Sequence, residues 1–128
     1  MNEKRKHIRY KCELKAKFQY FETVETDEEE NSSEKVNAQK GKGTILDISQ
    51  NGLLIATNSK LGINIPITVA FKTKKRAYDV KGRVVRIGFL ENNPSEVAKK
   101  FLDFSNLAEV YIAVQFDELL DQFEDGEL

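Results

Sequence analysis

The sequence of 128 residues has few of the residues that build disulfides, metal sites and membrane spans. Cys12 is the only cysteine, which excludes an internal disulfide and leads us to expect a reducing, cytoplasmic compartment. His7 is the only histidine, and without a Cys/His cluster we expect no zinc or other metal site. No apolar run approaches the roughly 18 residues of a spanning helix, so we expect no membrane span. The opening MNEKRK has no apolar stretch behind it, which is not the pattern of a secretory signal.

Catalytic groups are equally sparse. No nucleophile is paired with a base at a recognisable spacing, and His7, the only side chain with an ordinary pKa near neutrality, lies in a polar stretch. Asp47 has no second carboxylate at a fixed spacing for acid–base work. No glycine-rich phosphate loop precedes a helical segment. We therefore expect a protein that is not an enzyme and needs no cofactor.

Charge is plentiful, and it is segregated along the chain. The formal net charge is only −1, yet residues 1–17 carry seven bases against two acids, and residues 72–86 carry seven bases against one acid. Residues 22–34 contain seven acids and residues 117–128 contain six, with no base in either segment. Two basic patches on a nearly neutral protein favour a local anionic partner, with an ordinary solvated surface as the alternative.

Alternation of apolar and polar residues predicts an all-β protein. It is clearest over residues 12–20, where every second residue is apolar. Pro66 suits the start of a strand, where a missing backbone donor is tolerated. The pattern breaks over residues 82–85, which predicts a β-bulge. We predict six strands, over about 12–20, 43–48, 52–57, 67–71, 77–88 and 110–116. Short strands joined by tight turns favour a closed antiparallel barrel, since closure removes exposed sheet edges.

The segments between the strands complete a single predicted domain over residues 1–128. Residues 1–10 form a basic arm without apolar periodicity, and residues 22–42 are predicted to be an acidic, mobile loop. An Asn-Pro start predicts a short helix over 94–103, in the last hairpin connection. Residues 117–123 are predicted to form one or two helical turns at the C-terminus. Three apolar residues of that segment should return to the core: Leu119, Leu120 and Phe123.

The turn from Asp47 to Gly52, with the sequence DISQNG, is the first candidate binding element. It lies between two apolar runs, as expected for a turn between two strands. A carboxylate and a hydroxyl two residues apart, Asp47 and Ser49, should point to the same side of a strand. Gly52 would permit a positive φ or the close approach of a flat ligand. Such a turn offers an anionic acceptor, a hydroxyl and bare backbone, although an ordinary hairpin turn has the same composition.

The second candidate is a pair of arginines four residues apart on the arm, Arg5 and Arg9. Two planar guanidiniums at this spacing can bind one dianionic ligand from two sides. Arginine donates bidentately to phosphate and to the O6/N7 edge of guanine, which lysine cannot do. A basic tail without a ligand is the alternative for this pair considered alone.

The combination of the two elements with the strand order resembles the PilZ domain family. The resemblance rests on Arg-x-x-x-Arg at the start, one alternating strand, and Asp-x-Ser-x-x-Gly in the following hairpin. Residues 82–86 (GRVVR) and 113–116 (AVQF) are similar to the family's last two strands, so the likeness covers roughly 4–120. It implies a six-stranded antiparallel barrel with a C-terminal helix. It also implies binding of the bacterial second messenger cyclic di-GMP.

Carried over by position, the resemblance assigns a role to each motif residue. Arg5 and Arg9 would contact phosphates and guanine edges, and Asp47 would accept hydrogen bonds from guanine N1 and N2. Ser49 would hydrogen-bond nearby, and Gly52 would permit the close turn. The domain would relay the signal to a downstream partner protein that the sequence does not identify.

Two other functions stay open at this point. The first is a barrel that binds single-stranded nucleic acid, which needs aromatic side chains such as Tyr10 or Tyr78 on an outer face, and which we do not favour. The second is a PilZ-like interaction module that has lost the ligand, against which the intact motif residues argue. His7 and Asn51 are weaker ligand candidates, for which we favour exposure to solvent and a role in the turn, respectively. Cys12 is expected in the core.

Overall fold

The computed structural model describes residues 8–25, 34–89 and 110–128. Every strand pair in them is antiparallel, and the strand order β1-β2-β3-β6-β5-β4 closes on itself. The six strands are β1 Tyr10–Glu25, β2 Glu34–Ile48, β3 Gly52–Thr57, β4 Pro66–Lys72, β5 Ala77–Phe89 and β6 Val110–Phe116. The six-stranded antiparallel barrel expected from the alternation is confirmed.

The core fills the inside of this barrel because alternate residues of each strand point inward. On β1 the inward residues Ala16 and Phe18 are buried, while their neighbours Lys15 and Lys17 are exposed. Phe18 lies opposite Val69 of β4, which is also buried. β3 is buried along its whole length. The strands therefore hold together through one shared apolar interior as well as through their hydrogen-bonded ladders.

The prediction of a loop over residues 22–42 is wrong at both of its ends. β1 continues to Glu25 and β2 begins at Glu34, with unbroken pairing from Tyr20–Gln39 out to Glu25–Glu34. An antiparallel ladder is built from backbone groups, so a polar sequence can extend it once the register is fixed by the barrel. Residues 26–33 of the predicted loop lie outside the described residues.

The two helix predictions have different outcomes. The segment 94–103 lies outside the described residues. The helical turns predicted over 117–123 are wrong, because the N–H of Leu120 donates to the carbonyl of Gln50 at 2.8 Å instead of to a residue four positions earlier. The helix near the C-terminus is a single 3-10 turn at Asp125–Glu127. Within the described ranges, no helix combines the length and the apolar content needed to cross a bilayer.

The bulge predicted on β5 is confirmed. The register between β5 and β6 shifts between Val84 and Arg86. Val84 is buried in the core, and both Val85 and Arg86 are exposed. Two consecutive residues thus face outward, which is what one inserted residue does to a strand with a period of two.

Candidate ligand-binding site

The turn between β2 and β3 is closed by its own hydrogen bonds. The N–H of Ser49 donates to the carbonyl of Gly52 at 2.9 Å. The Ser49 hydroxyl donates to Asn51 Oδ1 at 2.5 Å and accepts from the Asn51 N–H at 3.3 Å. Ser49 is only 1% exposed, so its hydroxyl faces into the turn and not into solvent. Asn51 therefore serves the turn, as favoured from the sequence, while a direct contact of Ser49 with a ligand stays a prediction.

The same turn is also held from outside. Its carbonyls at Gln50 and Asn51 accept hydrogen bonds from Leu120 at 2.8 Å and from Phe116 at 2.9 Å. Together with the bond to Gly52, three successive carbonyls are therefore satisfied. A loop with three successive carbonyls engaged presents its side chains in a well-defined geometry.

Gly52 has a role that its sequence position did not suggest. Of the two roles raised from the sequence, the close approach of a flat ligand stays a prediction, and a positive φ does not occur. Instead, a Cβ at this position would lie 2.5 Å from the carbonyl oxygen of Val114 on β6. Gly52 is thus needed because β3 and β6 approach each other closely where they pair.

Asp47 lies beside two interruptions of the strand register. The β2–β3 register shifts between Ile45 and Asp47, and the β1–β2 register shifts opposite, between Lys11 and Leu14. Bulges re-aim side chains and are frequent next to functional sites. The buried Leu46 is followed by Asp47, which is half-buried, so the carboxylate lies at the surface between apolar neighbours.

Arg9 of the arm reaches this carboxylate. Its Nη1 lies 3.8 Å from Asp47 Oδ1, and the two side chains are 42% and 22% exposed. This distance is beyond hydrogen-bonding range, and an exposed pair of this kind is worth at most about 1 kcal/mol. The structure therefore brings together two of the predicted site residues in a loose pair. Arg5 lies outside the described residues.

Two residues at the start of β1 lie near Asp47. Lys11 lies opposite Asp47 in the β1–β2 ladder and is exposed, which adds a second cation beside the carboxylate. Cys12 packs against the core, as expected, and its Sγ lies 3.6 Å from the Ile45 carbonyl. Burial, with the nearby Asp47 and Glu13 carboxylates, raises the pKa of the Cys12 thiol to about 12. The thiol therefore keeps its proton at neutral pH and contributes to packing.

A row of aromatic rings lies next to the arm. The ring of Phe123 is 6.1 Å from that of Tyr10 and 6.3 Å from that of Tyr78, which stacks on Phe71 at 5.1 Å. Phe123 and Phe71 are buried, and both tyrosines pack against the core. Tyr10 and Tyr78 are therefore engaged with other rings and are poorly placed to stack on the bases of a nucleic acid.

A buried carboxylate near the C-terminus was missed by the sequence analysis. Glu127 is fully buried and receives hydrogen bonds from the Tyr78 hydroxyl at 2.8 Å, the Thr73 hydroxyl at 2.9 Å and the Glu124 N–H at 2.8 Å. Arg76 Nε lies 3.2 Å from its Oε1. No sequence signal distinguishes Glu127 from the other acids of an acidic tail. It connects the C-terminal residues to the β4–β5 hairpin.

Electrostatics in this cluster follow from the contacts. Burial disfavours the charged form of Glu127, but the Glu124 N–H, the Tyr78 and Thr73 hydroxyls and Arg76 outweigh it and lower its pKa. Burial and the hydrogen bond to Glu127 raise the pKa of Tyr78 to about 12. The tyrosine therefore keeps its proton and the carboxylate stays charged, which maintains the hydrogen bond between them at neutral pH.

Some bases of the patch at 72–86 thus pair with acidic residues of the same chain. Arg76 pairs with Glu127, and Lys75 Nζ lies 3.5 Å from Glu124 Oε2. Arg86 lies over the Tyr111 ring, 5.7 Å from its centroid. The acidic C-terminal residues therefore neutralise the tip of the β4–β5 hairpin, which weakens the case for this patch as a ligand site.

Comparison with known proteins agrees with this architecture. The family model for the PilZ domain matches residues 3–119, which is nearly the whole chain. No curated protein matches the sequence significantly. A solved structure of the Bacillus subtilis inhibitor of motility, MotI/DgrA, is similar with a TM-score of 0.58 and 12% identity. The alignment covers 94% of this chain but 46% of that one, so this chain spans about half the length of that protein. At this identity the likeness concerns the fold.

Proposed function

The chain belongs to the PilZ domain family, and we propose that it is a non-enzymatic receptor that binds cyclic di-GMP and relays the signal to a partner protein. The observation that carries the proposal is the approach of Arg9 to Asp47, which brings the arm and the β2–β3 turn to one end of the barrel. We assign the ligand contacts to Arg5, Arg9, Asp47, Ser49 and Gly52, the last two acting through the shape of the turn.

The chemistry of these groups suits a guanine dinucleotide. A guanidinium donates two parallel hydrogen bonds to a phosphate or to the O6/N7 edge of guanine. A carboxylate accepts from the N1–H and N2–H donors of guanine, which adenine does not have at these positions. Arg9 and Asp47 therefore suit the two neighbouring edges of one guanine, or the phosphate and the base of one nucleotide.

The loose Arg9–Asp47 pair also suits a site that is filled by a ligand. At 3.8 Å and with both side chains partly exposed, separating the two charges costs little. Each charge nevertheless keeps the other near its working position. Charge-assisted hydrogen bonds to the ligand, each worth about 1.5–3 kcal/mol, would outweigh the loss of this weak ion pair.

The relay follows from the same geometry. The arm has Ile8 and Tyr10 as its apolar anchors beyond Met1, and Ile8 is exposed. We propose that the ligand fixes the arm against the turn and so creates a composite surface that the partner protein reads. Ordering about six residues would cost several kcal/mol, which the charged contacts offset.

Calorimetric titration tests the receptor proposal. Cyclic di-GMP should bind, and cyclic di-AMP should bind much more weakly because it lacks the donors for Asp47. Arg9→Ala should weaken binding roughly 10- to 100-fold, since one or two charged hydrogen bonds are lost. Lys17→Ala is the control, because Lys17 is an exposed cation of β1 six positions beyond Lys11, the ladder partner of Asp47. It should leave the affinity nearly unchanged.

The outcomes separate the alternatives. Equal affinities for the two dinucleotides would reject the role of Asp47. Binding that Lys17→Ala impairs as strongly as Arg9→Ala would move the site along β1, away from the turn. No binding of either dinucleotide would leave an interaction module that has lost the ligand. Tight binding of a single-stranded oligonucleotide in its place would favour the nucleic-acid function.

A further inference from the structure

We propose that the C-terminal segment, defined as residues 117–128, is a positioning element of the ligand site. Phe123 is the residue through which it acts on the arm, and Glu127 is its anchor on the β4–β5 hairpin. This inference rests on the proposed function, because what the segment positions is the arm and the β2–β3 turn that would hold cyclic di-GMP.

The first contact of the segment is with the turn. The N–H of Leu120 donates to the Gln50 carbonyl at 2.8 Å, three residues after Asp47 and two before Gly52. Leu120 also packs against the core, so the donor itself is held in place. The turn is thus braced by the C-terminal segment.

The second contact is with the arm. Arg9 precedes Tyr10, the first residue of β1 and the partner of Ile48 in the ladder. Of the described apolar residues of the arm, Ile8 is 71% exposed, which leaves Tyr10 as the one that packs inward. The Phe123 ring lies against Tyr10 at 6.1 Å. The direction in which Arg9 leaves the barrel therefore depends on Phe123.

The third contact fixes the segment itself. The N–H of Lys74 donates to the Glu127 carbonyl at 2.8 Å, while the Glu127 carboxylate is bound by Thr73, Tyr78 and Arg76. This anchor lies on the β4–β5 hairpin, which does not contribute to the ligand site. The segment thus connects the β4–β5 hairpin to both elements of the site.

The barrel does not need the segment to close. Each of the six strands pairs with both neighbours through its own ladder, and none of these ladders includes a residue after Phe116. Loosening the segment should therefore act on the site before it acts on the barrel. This separation makes the positioning role distinguishable from a general effect on stability.

Four single variants in the full chain test the inference. Phe123→Ala removes the ring contact, Phe123→Leu keeps most of the apolar volume, and Glu127→Gln removes the charge of the anchor. Leu119→Ala is the matched control, because Leu119 belongs to the same segment but is half exposed. Each variant is measured by amide hydrogen exchange without ligand and by calorimetric titration with cyclic di-GMP.

Phe123→Ala should speed exchange at residues 8–12 and 49–52 by a larger factor than along β4, where the loss of core packing acts only through global unfolding. It should weaken binding about tenfold, the effect of losing one aromatic contact. Phe123→Leu should restore most of the affinity, and Leu119→Ala should resemble the wild type. Glu127→Gln should speed exchange at the same two ranges. If Phe123→Ala does not fold, Phe123→Leu and Glu127→Gln decide the matter with smaller effects in the same places.

Two results overturn the inference. One is unchanged exchange at 8–12 and 49–52 in the folded variants, and the other is wild-type affinity in Phe123→Ala. Failure of the wild-type chain to bind cyclic di-GMP is a separate result, which rejects the proposed function. In that case the exchange measurement still decides whether the segment positions the arm and the turn.

Discussion

Replacing Glu127 by alanine should be among the most destabilising single changes in the described part of the chain. The substitution removes the acceptor for two hydroxyls, one backbone N–H and one guanidinium, and leaves a polar cavity around them. Hydrogen bonds to a charged group are worth about 1.5–3 kcal/mol each, but their values are not additive. Water that enters the cavity of the variant should also satisfy some of the donors. We expect a loss of about 2–4 kcal/mol in the free energy of unfolding.

Most of this loss should come from the buried hydrogen bonds and not from the ion pair. The side chain of Arg76 is 36% exposed, so its interaction with Glu127 is screened by solvent. Arg76→Ala should cost about 1 kcal/mol or less. Glu124→Ala is the matched control, because the Glu124 side chain is 66% exposed and its N–H, which donates to Glu127, is kept. It should cost less than about 0.5 kcal/mol.

Urea unfolding followed by circular dichroism measures these differences. The midpoint should fall in Glu127→Ala while the slope with urea stays the same, which identifies a change in stability and not in the unfolding mechanism. Equal losses of unfolding free energy in Glu127→Ala and Glu124→Ala would contradict this prediction, because the buried contacts of Glu127 would then contribute no more than those of a surface carboxylate.

The same cluster predicts a dependence on pH. The pKa of Glu127 in the folded protein lies below its ordinary value of 4.5, so the folded state binds fewer protons than the unfolded state in this window. Its contribution to stability is present above pH 4.5 and is lost as the pH falls through the folded-state pKa. The difference in stability between the wild type and Glu127→Gln should therefore shrink on acidification. A stability difference that grows on acidification would contradict this prediction.

Two further predictions concern packing at the site. Gly52→Ala should destabilise the barrel by about 1–3 kcal/mol, since the new Cβ meets the Val114 carbonyl, and a loss below 0.5 kcal/mol in urea unfolding would show that β6 can yield. At pH 8 the reaction of Cys12 with a thiol reagent should be roughly two to three orders of magnitude slower than that of a free cysteine, because the pKa of Cys12 is raised to about 12. Fast modification in the native protein, with equally fast modification in urea, would contradict the burial of the thiol.

The strands were predictable because alternation records burial directly. The pattern over residues 12–20 and the break near Val85 correspond to β1 and to the bulge on β5. The extension of the β1–β2 hairpin was not predictable, because its pairing uses backbone groups and its side chains are mostly polar. The cluster around Glu127 was hidden for a different reason. Burial of a carboxylate depends on donors 49 and 54 positions away, Tyr78 and Thr73, which local sequence does not reveal.

The candidate site was predictable in part. The motif spacing led to Asp47 and Arg9, and the structure brings these two residues together. The reason for Gly52 was not visible, since the approach of Val114 from β6 is a property of the closed barrel and not of the turn. The contact of Phe123 with Tyr10 was also not visible, although the return of Phe123 to the core was expected from its apolar character.

Amide hydrogen exchange with and without saturating cyclic di-GMP shows whether the ligand binds where the arm meets the β2–β3 turn. We expect the ligand to slow exchange at residues 2–12 and 46–52 and to leave the β4–β5 hairpin, residues 72–77, unchanged. Protection centred on that hairpin, or a calorimetrically bound ligand that protects neither the arm nor the turn, would reject this binding site.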